Sequence, residues 1–321
     1  MIYIYNNYDT NKYWSPPFNN FLEGLNILFK EKNIFCNYLN NNIPVKNDII
    51  IAISATLIKI NEFSQKYNCK LIIINSESIA LQSNSNEIEK SQKYLNNYIN
   101  NPNLIEIWDY SLKNINKFKT ITSIPCYNVP ITYLPSFENI YNNKIKKIYD
   151  IFLFGGMSQR RIKIINKLKK KGLIVLARTC RRYNEFVDMV NKTKIVLIVH
   201  FYEDDLCIDY YRLFSLISSK IFTICEMPSN DQMDITMNKL IFSDYNSLVS
   251  DCVHYLNKTQ NDRDKISEDL YHWWKTTHHM NKYIPMNNIT SNNKMYCKCG
   301  LGFRKHYYFK SHIAICSECN N

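Results

Sequence analysis

Glycine is scarce in this sequence: six residues of 321, two of them within the last 22 positions. The N-terminal half therefore has no Gly-rich loop. Long apolar runs are also missing. The longest, "DIIIAI" and "KIVLIVHF", fall far short of the roughly 18 residues a membrane span needs, and read as buried strands. The start, "MIYIYNNYDTNKYW", has no basic stretch followed by an apolar one, so no secretory signal is visible and a cytoplasmic location is expected. There is no repeat at solenoid periods. A disulfide framework is missing as well. Seven of the eleven cysteines are scattered singly (Cys36, Cys69, Cys126, Cys180, Cys207, Cys225 and Cys252) and read as small buried apolar residues of a reducing compartment. Acid is in deficit, at 28 residues against 40 basic ones, a formal charge of +12. The lysines are spread along a chain rich in Asn, Lys, Ile and Tyr. This is the signature of an AT-rich coding sequence, such as that of a giant DNA virus or a protist, more than of a nucleic-acid-binding face. If the source is viral, the location would be host cytoplasm or virion.

What is present is alternation. "MIYIY", "DIIIAIS", "CKLIIINSE" and "LIEIWDYS" read as apolar strands. Between them lie helix patterns at 16–32, 57–67 and 86–101, the first with Phe18, Phe21, Leu22, Leu25 and Phe29 on one face. The pattern restarts after residue 148: strand "YDIFLFGG", helix "SQRRIKIINKLKKKG", strand "LIVLA", helix, strand "KIVLIVHF", helix "CIDYYRLFSLISSK", strand "IFTICE". Strand–helix alternation with apolar strands predicts βαβ units on parallel sheets. The expected fold is α/β: two tandem Rossmann-like domains at 1–142 and 143–281, a linker at 282–294 and a small unit at 295–321. Trp273 and Trp274 of the last body helix read as core, and the adjacent histidines carry no metal reading.

In the second domain, Gly155 and Gly156 sit where a strand turns into a helix, a place where an anion meets the first helical N–H groups. Arg160 and Arg161 follow in the first turn and could clamp a phosphate. Adjacent helical positions point about 100° apart, so one of the two is expected to be solvated. His200 and Glu226 end successive strands, where ligands of open α/β sheets bind. A buried carboxylate at Glu226 would need a ligand or an arginine partner. Trp108 and Asp109 read as a folding corner, with Asp109 capping a helix that starts at Ser111.

These motifs resemble the C-terminal domain of GT-B glycosyltransferases, in the branch related to bacterial spore-maturation proteins of the CgeB type. The matching positions are Gly155, Arg160 and Arg161, then Lys194 and His200, then Asp209 and Arg212, and finally Glu226. "LIIINSESI", "IWDYSLKNI" and "YLPSF" resemble segments of the family's first domain, so the likeness covers about residues 70–240, and residues 1–70 by element order. The resemblance implies two domains facing a cleft, with the acceptor on the N-terminal side. A nucleotide sugar would bind mainly to the second domain: Glu226 on the ribose hydroxyls, the basic residues near the glycine turn (with Gly155 and Gly156) on the diphosphate, and Lys194, Asp209 and Arg212 lining the site. His200 is the catalytic candidate. No metal is required by the class. Asp209 stands where the family has a glutamate, and the shortage of glycine is a second departure; together they leave open a diverged or inactive transferase.

The last unit is a separate motif: Cys297-x-Cys299, twelve residues to His312, three more to Cys316, with Phe303 and Phe309 between them. These are the ligand and core spacings of a ββα zinc finger. A unit this short folds only with the metal's help. C-x-C replaces the usual C-x-x-C, and Cys319 is an alternative fourth ligand. A lone finger covers about 3 bp, so sequence reading of nucleic acid is not favoured. The expected cofactors are a structural Zn2+ and a nucleotide-sugar donor, with an acceptor that is a protein or a glycan. The alternative is a non-catalytic nucleic-acid- or protein-binding protein built on a diverged transferase fold.

Overall fold

The computed structural model describes the chain except residues 6–15, 35, 40–42, 54–56, 77–95, 97–98, 141, 143, 181–182, 204–209, 229–238, 286–288, 290–294, 297–301 and 304–321. Two parallel sheets account for most of it. The first has six strands among the described residues: β1 (Ile2–Tyr5), β2 (Cys36–Tyr38), β3 (Ile49–Ile53), β4 (Lys70–Asn75), β5 (Leu104–Asp109) and β6 (Cys126–Asn128), in the order β2-β1-β3-β4-β5-β6. The second has β7 (Tyr149–Phe154), β8 (Val175–Arg178), β9 (Thr193–Ile198), β10 (Thr223–Glu226) and β11 (Phe242–Ser243), in the order β11-β10-β9-β7-β8. Each sheet starts in the middle and winds outward both ways, so each has a switch point, at β1/β3 and at β7/β9. Crevices form there at the carboxyl ends of the strands.

Helices α1 (Pro16–Glu31), α2 (Leu57–Lys66) and α3 (Leu112–Ile121) cover the first sheet. The second is covered by α4 (Gln159–Lys170), α5 (Tyr183–Asn191), α6 (Tyr210–Ser218) and α7 (Leu248–Leu256), and α8 (Gln260–Thr277) closes the domain. Every residue of β3 is buried, as a strand covered on both faces must be. On α1, Phe21, Leu22, Leu25 and Phe29 are fully buried. The helix read at 86–101 falls largely outside the described residues. The short strands β2, β6 and β11 carry no periodic signal of their own. They are created by pairing and packing.

The two sheets share one apolar seam. Phe18 and Phe21 of α1 pack edge-on against Tyr211 of α6, at 4.5 and 5.5 Å between ring centroids. Tyr110, just past β5, meets Tyr210 at 4.9 Å. Helix α8 starts with a reciprocal Thr259–Asp262 cap. It stacks Trp274 on Phe214 of α6 at 4.1 Å, then the chain returns to the first domain, where His279 bridges Tyr133 in parallel. Trp274 is thus core, as read, whereas Trp273 is only partly covered. Below the bridge, Glu138 accepts hydrogen bonds from the hydroxyls of Tyr133 and Tyr271 and from Lys275 Nζ at 2.9 Å. The domain assigned as ending at 281 therefore interleaves with the 3-10 helix Pro135–Ile140 that precedes it.

Gly24 lets α1 approach that 3-10 helix. A Cβ there would sit 2.5 Å from Ser136 Oγ and 2.7 Å from Leu134 Cδ1. Gly24→Ala is therefore expected to cost about 1–3 kcal/mol by overpacking, outweighing its better helix propensity, and chemical denaturation will measure it.

Candidate functional site

The carboxyl ends of β7, β9 and β10 place Gly155, His200 and Glu226 along one edge of the second sheet. Gly155 has φ of 117°, a conformation that favours glycine, and it is buried. Gly156 follows, exposed, and Ser158 caps α4 by accepting the Arg161 N–H at 3.3 Å. The first turn of α4 contains no acid, so its N-terminal field is uncompensated by its own helix.

The two arginines split as adjacent helical positions require, but neither is solvated, which corrects the expectation that one would be. Arg161 is buried. Its Nε and one terminal nitrogen donate to the Val199 carbonyl at 2.8 and 2.6 Å, and the other donates to the Gly156 carbonyl at 2.7 Å. It splints the glycine turn to the end of β9. Arg160 points the other way and engages Glu226 in a fork, with one bond of 2.6 Å and a second, shorter one. Its guanidinium lies 3.9 Å from the centroid of the Tyr245 ring, and Tyr245 donates its hydroxyl proton to the Arg160 carbonyl at 2.8 Å. Glu226 is 2% exposed and also accepts the His200 main-chain N–H at 2.9 Å. The arginine partner that a buried carboxylate demands is thus Arg160.

His200 is itself buried. Its Nε2 lies 3.2 Å from the Glu226 carbonyl, which can only accept, so the tautomer protonated at Nε2 is assigned. Burial lowers its pKa, so the ring is neutral at pH 7. Arg212 donates to the Phe154 carbonyl at 3.1 Å, holding the end of β7 from behind. Lys194 is elsewhere. It is the second residue of β9, at the opposite end of the strands from Glu226, and pairs with Asp150 at 2.7 Å. A strand carries its first and last residues to opposite edges, which spacing along the chain does not reveal. Asp209 and the four proposed zinc ligands, Cys297, Cys299, His312 and Cys316, lie outside the described residues, as does Cys319. Two short strands flank the first pair, β12 (Met295–Tyr296) and β13 (Gly302–Phe303), and they pair antiparallel. Among the described residues no cluster of three or more His, Cys, Asp or Glu is arranged for a metal. Tyr245 and Phe201 were not singled out from the sequence. Phe201 directly follows His200, is 40% exposed and stands 3.3 Å from a Cβ built on Gly156. That adjacency was the one signal available.

The carboxyl edge of the first sheet carries Asn75 and Asp109, at the ends of β4 and β5. Asp109 is fully buried. It accepts from Asn75 Nδ2 at 2.6 Å, the Ser111 N–H at 2.7 Å and Asn114 Nδ2 at 3.3 Å. The cap of α3 is Ser111 itself, so Asp109 braces the cap instead of forming it. Burial pushes the Asp109 carboxyl up to about 7, against the three donors that pull it down.

No protein-family model matches the chain. Three proteins of Acanthamoeba polyphaga mimivirus are similar to it. Protein L140 is 22% identical over 215 residues, 65% of this chain and 69% of the relative. L137 is 24% identical over 61% of this chain, and L138 29% identical over 54% of it. The matches span only 26% and 19% of those two longer proteins. Among solved structures, phage T4 β-glucosyltransferase superimposes with a TM-score of 0.53 at 12% identity, over 86% of this chain and 94% of that one. A mutant of the same enzyme in complex with UDP-glucose gives 0.54 at 13% identity, over 86% and 95%. TarM gives 0.50 at 12% identity, over 83% and 57%. The likeness is one of fold: two parallel-sheet domains arranged as in GT-B glycosyltransferases.

Asp109 makes a pH prediction. Its carboxyl titrates near 3.8 when unfolded and near 7 when folded. Between those values the folded chain binds a proton that the unfolded one does not, so this group's contribution to stability falls as pH rises from about 4 to 7. Asp109→Asn is expected to gain on the parent across that window, by a few kcal/mol in unfolding free energy, and to run parallel to it above pH 8.

Proposed function

We propose that this protein is a glycosyltransferase that takes a sugar from a nucleotide-sugar donor held at the carboxyl edge of the second sheet. The observation that carries the reading is the Gly155–Gly156 turn opening onto the N-terminus of α4 beside the Arg160–Glu226 pair. Backbone N–H groups, a helix dipole and a guanidinium converge where a diphosphate leaving group would need charge stabilisation. UDP and UDP-glucose appear in complexes of the phage T4 enzyme of the same fold, one of them with Mn2+, which makes a uridine diphosphate sugar the first donor to try.

Roles follow from the contacts. Arg161 and Arg212 shape the turn and are positioning residues. His200 positions Glu226 through its main-chain N–H, and its buried ring reaches the Glu226 carbonyl. A carboxylate offers about four lone pairs, and Arg160 and His200 already use three of those of Glu226. A ribose diol engaging both oxygens therefore displaces Arg160 toward the glycine turn, where the diphosphate lies. Asp209 remains assigned to the donor site by resemblance alone. Lys194 is not, because its ion pair with Asp150 sits at the far edge. The acceptor would enter from the Asn75–Asp109 side, and a protein or glycan acceptor fits the reading.

The C-terminal unit is proposed as a zinc-stapled appendage, with Cys297 and Cys299 in a hairpin connection and His312 and Cys316 one helical turn apart. The antiparallel pairing of Met295 with Phe303 and of Tyr296 with Gly302 supports that hairpin. The zinc's role is to supply folding free energy to a unit too small for a core of its own.

Two measurements test these readings. A panel of UDP-, GDP- and TDP-sugars in a thermal-shift assay is expected to contain at least one that stabilises the protein, by about 2.7 kcal/mol at a hundred times its Kd. Glu226→Gln should lose that gain relative to its own ligand-free transition, and a flat response to the whole panel would overturn the donor reading. Metal analysis of the purified chain should find about one zinc per molecule, and Cys299→Ser should abolish it.

A further inference from the structure

The edge of the second sheet opposite the candidate site carries a feature that the transfer reading leaves unused. Three chain segments run into the N-terminal ends of β7, β8 and β9, and they are tied together by main-chain hydrogen bonds. The Ile148 and Tyr149 N–H groups donate to the Lys192 carbonyl at 2.8 and 3.0 Å, and the Asp150 N–H donates to the Ile174 carbonyl at 2.9 Å. On this edge Ile148 and Ile174 are 46% and 57% exposed, among the most exposed large apolar side chains described. Lys144 and Lys146 lead into Ile148, and Lys169, Lys170 and Lys171 lead into Ile174, all five exposed. None of these five has an acidic partner among the described residues. The nearby acids are spoken for: Asp150 pairs with Lys194, Asp188 pairs with Lys192, and Asp264 faces Lys147.

We propose that this edge is a peripheral docking face for an anionic phospholipid bilayer. Two exposed apolar side chains, each preceded along the chain by exposed lysines with no acidic partner among the described residues, match a surface that is negatively charged at its headgroups and apolar just beneath them. The lysine stems cover apolar surface while their ammonium groups stay in water. Nucleic acid fits less well. Among the described residues the face presents no arginine fork for phosphate and no exposed aromatic ring for a base, and exposed isoleucines bring nothing to a phosphate backbone. Since the face lies at the far end of the strands from Glu226, docking would leave the candidate cleft open. The proposal stands whether or not the chain transfers sugar.

Vesicle flotation of the full chain tests it, using phosphatidylcholine vesicles with and without about a third phosphatidylserine, and a labelled DNA duplex as a parallel ligand. The parent should float with the anionic vesicles only, more strongly at low salt. Lys170→Glu with Lys171→Glu should weaken partitioning at least about tenfold, given the free energy each lysine contributes near a charged bilayer. Ile148→Ser with Ile174→Ser should weaken it severalfold at the same salt. All four positions are exposed, and an unchanged thermal transition will confirm that each variant folds. If either double variant unfolds, Ile174→Ser or Lys171→Glu alone carries the same comparison. Failure of the parent to bind anionic vesicles at low salt overturns the proposal. So does equal binding to neutral vesicles, or duplex DNA binding that the lysine pair abolishes while vesicle binding ignores the isoleucine pair.

Discussion

Glu226 is buried at the end of β10, where a lone carboxylate would forfeit several kcal/mol of hydration. The arrangement around it compensates. Arg160 meets both its oxygens, His200 gives it a main-chain N–H, and Tyr245 supports the guanidinium from the other side. For Arg160 to reach Glu226, α4 must begin where it does. That start is set by the positive φ of Gly155 and by Arg161 anchoring the turn to the end of β9. One electrostatic requirement thus ties together three strands, a turn and a helix terminus. It also sets the N-terminus of α4 and the Arg160–Glu226 pair beside the glycine turn.

The second constraint is the seam. Two open parallel sheets do not by themselves define a cleft; their carboxyl edges must face each other. Aromatic side chains from α1, α6 and α8 fill the space between the domains, and the Glu138 cluster with the His279–Tyr133 bridge adds polar links whose geometry is directional. The tyrosines serve both needs, with an apolar ring for the core and a hydroxyl for the carboxylate. Asn75 and Asp109 end strands of the first sheet, as Glu226 ends a strand of the second. The basic edge around Ile148 and Ile174 lies at the other end of the second sheet's strands.

Much of the architecture was legible in residue order. Apolar runs such as "IIIAI" and "KIVLIV" have only one stable use in a chain of this kind, as strands covered on both faces, and the intervening amphipathic stretches supply the covers. Glycines at a strand-to-helix turn and a carboxylate after an apolar strand point to the carboxyl edge of a sheet because the parallel topology puts every strand end there. Strands β2, β6 and β11 were not legible, being two or three residues long and defined by the neighbour they pair with.

The sequence by itself determined that two parallel sheets form, that Gly155, His200 and Glu226 share an edge, and that Glu226 needs a ligand or an arginine partner. It did so because these follow from local periodicity and from the cost of burying charge. Tertiary structure alone decided which cation answers. Arg160 and Arg161 are identical in kind and adjacent, and only the packed positions of Val199, Gly156 and Glu226 give one the splint and the other the ion pair. It also sent Lys194 to the opposite edge and brought Tyr245 in from a loop 85 residues away from Arg160, since distance along a chain says nothing about which end of a strand a side chain will occupy.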